Sequence, residues 1–118
     1  MEHVVSELLK LQMYVQIYHW QTNLYARHVG AGNLYTDVVD ITDRIIESMQ
    51  GNASKKIKFS KPINIKITNI SDVQIINFLK SYRTFITDSK KNKSADVQSM
   101  FDELLEKINK TLYIFSLK

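Results

Sequence analysis

No cysteine occurs in the chain, which excludes disulfides and thiolate-held metals. Proline is almost as scarce: Pro62 is the only one, and there are three glycines. So few breakers favour long helices. No apolar run approaches the roughly 20 residues of a membrane span, so no membrane association is expected. The N-terminal residues carry Glu2 and Glu7 and lack a basic stretch ahead of an apolar core. That predicts no signal peptide and a cytoplasmic or otherwise intracellular setting, host cell or virion included. The charge is not extreme either. A net +4 permits weak contact with phosphate backbones without demanding it.

What is present is an ordinary globular composition, 44% hydrophobic and 24% charged, over 118 residues. It fits one domain, residues 1–118. Four apolar stripes step by three and four, as one face of a helix does. They are Val4, Leu8, Leu11, Val15 and Tyr18; Leu34, Val38, Ile41, Ile45 and Met49; Ile75, Leu79, Tyr82 and Ile86; and Val97, Phe101, Leu104, Ile108, Leu112 and Phe115. Thr22 or Asn23 suits the start of a second helix from about Leu24 to Gln50, and Gly51 suits its left-handed end. Ser71-Asp72 and Ser94 suit the starts of the third and fourth. Asp88 to Lys93 reads as a short polar connector. Asn52 to Ile70 holds Pro62, alternates Lys with Ile or Phe, and has no helical stripe. It reads as a long crossover with room for a short helix or extended piece of its own. The fold class expected is therefore all-α: a ferritin-like four-helix bundle with one long crossover between helices two and three.

The chemistry is concentrated between Tyr18 and Gly51. Gln12, Gln16 and His19 form a polar stripe on helix one; Asp40, Asp43 and Glu47 form an acidic one on helix two. Each also reads as the wet face of an amphipathic helix, with Arg44 pairing Asp40. His19 ends helix one and His28 opens helix two, so the turn brings them together. Two imidazoles and two carboxylates suit iron, zinc or manganese. Yet Asp43 lies 15 residues beyond His28, about 22 Å along a rigid helix. One chain cannot bring the four groups to one ion, whereas a two-fold partner lying antiparallel can, twice. Gly30 and Gly32 are expected at that contact, where missing side chains allow close approach. Trp20 is expected in the core, since an indole is mostly apolar area; the other reading sets it beside the site, to quench stray radicals. His3 has no partner in the pattern.

The run of His19-Trp20, a polar turn, His28, then Asp43 and Glu47 four apart and a terminal Gly51 resembles the mini-ferritins of the Dps family (DNA-binding proteins from starved cells). The resemblance implies a ferroxidase site between two-fold-related subunits: His19 and His28 from one chain, Asp43 and Glu47 from the other, at the family's offsets from His28. It implies Fe(II) oxidation and sequestration, a homo-oligomer built on a two-fold dimer, and a cage. The two histidines are 9 apart, about one turn closer than is usual there. Leu24 and Tyr25 stand where glycine and phenylalanine are usual, no basic N-terminal tail is present, and helix four lacks acidic pore residues. The small size and the Lys, Asn and Ile content resemble divergent viral or phage members. Other readings remain open: an oligomeric scaffold without catalysis that touches DNA non-specifically through Lys55, Lys56, Lys58 and Lys61, or a plain helical interaction module. The same lysines, with Lys66 and the group Lys90, Lys91 and Lys93, also read as solvated loops.

Overall fold

The computed structural model describes residues 1–117. Those residues form four helices and no strand: α1 (Glu2–Gln21), α2 (Tyr25–Ala53), α3 (Asp72–Lys90) and α4 (Ala95–Ser116). The four stripes face inward. Leu8, Leu11, Tyr18, Leu79, Phe101, Leu104 and Ile108 are fully buried, and only Met49 and Leu112 are left partly open. Each buried Leu or Ile stabilises the fold by about 1.5–3 kcal/mol.

Only one end is capped as the sequence suggests; at the start of α2 neither Thr22 nor Asn23 is the cap, which is Leu24 with no side-chain bond. Ser71 caps α3 in a reciprocal box: its hydroxyl accepts from the Gln74 N–H at 3.1 Å, and the Gln74 side chain accepts from the Ser71 N–H at 2.8 Å. Ser94 precedes α4, but its hydroxyl serves Asp96 and accepts from Asn52 instead of capping a backbone N–H. Helix α2 overruns the expected stop at Gly51. It continues to Ala53, and Ser54 takes the left-handed position with φ 52°. The extra turn is held from outside, by Asn52 on Ser94 just ahead of α4 and by Gln50, whose side-chain oxygen accepts from the Ile57 N–H at 2.8 Å.

Helices α1 and α4 each pack against both α2 and α3, which leaves α2 and α3 diagonal to one another. Arg27 at the start of α2 donates to the Phe115 carbonyl near the end of α4, and to the Asp72 carbonyl at the start of α3. So α2 and α4 run antiparallel, while α2 and α3 begin at the same end. The segment joining them must return the length of the molecule, and it does so along α1. Ser60 donates from its N–H and its hydroxyl to the Glu2 carboxylate, both at 2.9 Å. Further on, Tyr14 donates to the Lys66 carbonyl at 3.2 Å. Gln21, at the far end of α1, then takes the Ile70 N–H and donates to Asn69.

Candidate functional site

The α1–α2 turn is three residues, Thr22 to Leu24, and it is braced beneath. Buried Tyr18 donates to the Asp72 carboxylate, and Arg27 donates to the Tyr18 phenol at 3.1 Å while its guanidinium lies over the Phe115 ring. Burial and then the bond to Asp72 push the Tyr18 phenol up from its ordinary value. All four helices thus meet at one polar knot under the turn.

On that base His19 and His28 clasp one another. His19 Nδ1 lies 2.6 Å from the His28 carbonyl, and His28 Nδ1 lies 2.7 Å from the His19 carbonyl. A carbonyl only accepts, so both rings carry their proton on Nδ1. The rings stack at 4.0 Å between centroids with 14° between planes. In the neutral rings each Nε2 keeps its lone pair. His19 is half-buried and His28 exposed.

Asp43 and Glu47 stand one turn apart on the exposed side of α2. The hydrogen bond and charge of Asp43 hold the Glu47 carboxyl above its usual range. Neither has an ion-pair partner among the described residues. Their neighbour Asp40 does: Arg44 lies 3.2 Å from it and 2.7 Å from Glu103. The acidic stripe is therefore not uniform, since one member is neutralised at home and two are left facing each other.

The four predicted donors fall into two pairs. Because α2 is one unbroken helix, the pairs stay about 22 Å apart. Among the described residues no group of three His, Cys, Asp or Glu side chains gathers closely enough to hold an ion. Near the carboxylates the α1–α2 surface forms an open apolar groove of about 600 Å³, lined by Leu9, Gln12, Thr36, Val39, Thr42 and Asp43 among others.

One expectation needs correction. Trp20 is not in the core; it is 67% exposed. Two steps of about 100° from inward-facing Tyr18 turn it outward, a signal already present in the sequence. The close approach seen at Gly30 is within its own chain. The glycine is buried, and a Cβ there would stand 3.3 Å from Ile114 and Phe115, so it lets α4 approach. The seat that Gly32 provides for a histidine ring was not foreseen, because only the folded turn lays that ring on α2.

The model of DUF5856, a family of unknown function, matches residues 19–115. The chain belongs to this family. The matched span of this DUF5856 member includes all four donors, from His19 onward, and closes on Phe115, the ring under Arg27. No curated protein and no solved structure matches it.

Proposed function

We propose that this chain is a mini-ferritin of the Dps type, which binds Fe(II) between two-fold-related copies and oxidises it. The observation that carries the reading is the division of donors along α2: an imidazole pair clasped at its start, His19 from α1 and His28 from α2, and an unneutralised carboxylate pair about 22 Å further along that rigid helix. Neither pair is a complete site. An antiparallel second copy sets the His pair of one chain against the Asp43 and Glu47 of the other, and makes two sites at once. The groove beside Val39 and the exposed Trp20, Tyr25 and Val29 give that face the apolar and aromatic surface typical of interface cores. The strap-like connection along α1, with α2 and α3 starting together, fits the ferritin-like connectivity of the resemblance.

Two neutral imidazoles and two carboxylates supply two negative charges against the two positive charges of Fe(II). They leave coordination positions open for an oxidant. Iron is the substrate: each Fe(II) would give one electron to dioxygen or a peroxide, and the added positive charge of the ferric product, beyond what the two carboxylates cancel, would be met by hydroxide from water. Zinc or manganese would suit the same donors without turnover.

Complementation tests the reading. His28→Ala and Glu47→Ala each break every site in their own homodimers. In a mixed dimer, one site takes both losses and the other is intact. Co-expressed variants should therefore regain oxygen uptake on addition of Fe(II), while each alone shows none. Failure of the mixed protein, with dimers present by light scattering, would falsify a site built in trans. Oligomers that never take up oxygen, even with all donors present, point to the non-catalytic scaffold.

A further inference from the structure

The connection between α2 and α3 is more than a tether. Its contacts fix its conformation. Ser60 is held at the first residue of α1 and Ile70 at the last. Helix α1 is about 28 Å long over that stretch. Ten residue steps cover it, so the segment rises roughly 3 Å per residue, close to the limit of an extended chain. The intermediate contact agrees, since Tyr14 and Lys66 lie a little over halfway along their respective paths.

In an extended chain the N–H and C=O of one residue point to the same side, and successive residues alternate sides. Beyond the bend at Ser60 and Lys61, the residues whose backbone is tied to α1 are Lys66 and Ile70, both even-numbered. The odd residues Ile63, Ile65 and Ile67 therefore turn their N–H and C=O groups away from α1. Those groups make no hydrogen bond among the described residues. Residues 61–69 are exposed, apart from half-buried Ile65. This leaves extended backbone with unpaired groups on its outer side, of the kind that pairs with another extended chain.

Charge selects the partner. From Asn52 to Ser71 there are five lysines, Lys55, Lys56, Lys58, Lys61 and Lys66, and no carboxylate. A second copy of the same segment would set like charges against each other, which is unfavourable. We infer that residues 61–69 are a docking edge for an extended acidic peptide of another protein, added as a β-strand through Ile63, Ile65 and Ile67. Main-chain bonds would supply affinity and the lysines would supply selection and salt sensitivity.

The test uses the whole protein and three fluorescein-labelled peptides: alternating Glu-Val, the same length of alternating Glu-Pro, and alternating Lys-Val. Anisotropy should rise with the Glu-Val peptide alone, and at least a tenfold loss of affinity should follow Lys58→Ser, Lys61→Ser and Lys66→Ser together. On binding, amide exchange should slow at least tenfold at Ile63, Ile65 and Ile67 and stay unchanged at Lys66. Equal binding of the Glu-Pro peptide would show attraction by charge alone and overturn the inference. So would no binding, or an oligothymidine that displaces the peptide while leaving those three amides unprotected.

Discussion

Gly32 lies under the ring of His19: a Cβ built on Gly32 would stand 2.8 Å from Cε1 and 3.1 Å from Nδ1 of that histidine. The missing side chain is what lets the imidazole lie on α2 and reach the His28 carbonyl. Alanine is a better helix former than glycine by about 1 kcal/mol, so Gly32→Ala should leave helical content and melting little changed. It should displace the His19 ring and weaken Co(II) binding by tenfold or more in titration calorimetry. Nitrogen-15 imidazole spectra of the metal-free protein would show whether the His19 Nδ1 bond is lost.

Glu47 predicts a pH dependence of one sign. Its carboxyl is held above its ordinary value in the folded chain by Asp43. Folding therefore favours the protonated form, and stability falls as pH rises from the ordinary carboxylate value through the raised one. Glu47→Gln should remove that fall and raise the urea midpoint at pH 7 in metal-free protein, while abolishing iron binding. An unchanged midpoint at pH 7 would contradict the prediction.

Glu2 predicts the opposite sign. The Ser60 N–H and then the Ser60 hydroxyl hold its carboxyl below the usual range. The stability it contributes is present above the ordinary value and lost as pH falls through the depressed one. Ser60→Ala, which removes the hydroxyl bond, should lower the urea midpoint at neutral pH and leave it nearly unchanged at acid pH, so that the acid limb of the profile flattens.

Tyr18→Phe removes the hydroxyl at the polar knot and leaves the Arg27 and Asp72 groups short of a partner. A loss of about 0.5–1.5 kcal/mol is expected from urea unfolding, the worth of an ordinary hydrogen bond, since Asp72 is exposed and Arg27 keeps the Asp72 and Phe115 carbonyls. Phe101→Ala, by contrast, empties core volume alone and should cost about 3–5 kcal/mol.

The four apolar stripes and the Ser71 cap were legible because each depends on residues within one turn of helix. The end of α2 was not, because Asn52 and Gln50 hold it through partners just ahead of α4 and on the connection. The histidine pair was legible as a neighbourhood, since a three-residue turn brings helix ends together. Its reciprocal carbonyl bonds were not, and nor was the isolation of Asp43 and Glu47 from Arg44, because both follow from rotamers that tertiary packing selects. The outward Trp20 was readable from helical angle alone; its bulk argued the other way and misled.

The path of the connection along α1 also has a consequence for folding order. Helices α1 and α2 form one local hairpin and α3 and α4 another, each closing a short loop. The segment between them can be laid down only once α1 exists as a surface, because Glu2, Tyr14 and Gln21 are its successive anchors. Two fast local events should therefore precede one slower closure that joins distant parts of the chain. All four candidate donors belong to the first hairpin. A half-folded chain would already carry its His clasp and its carboxylate pair, so the donors of the proposed dimer would be in place before the far half had docked.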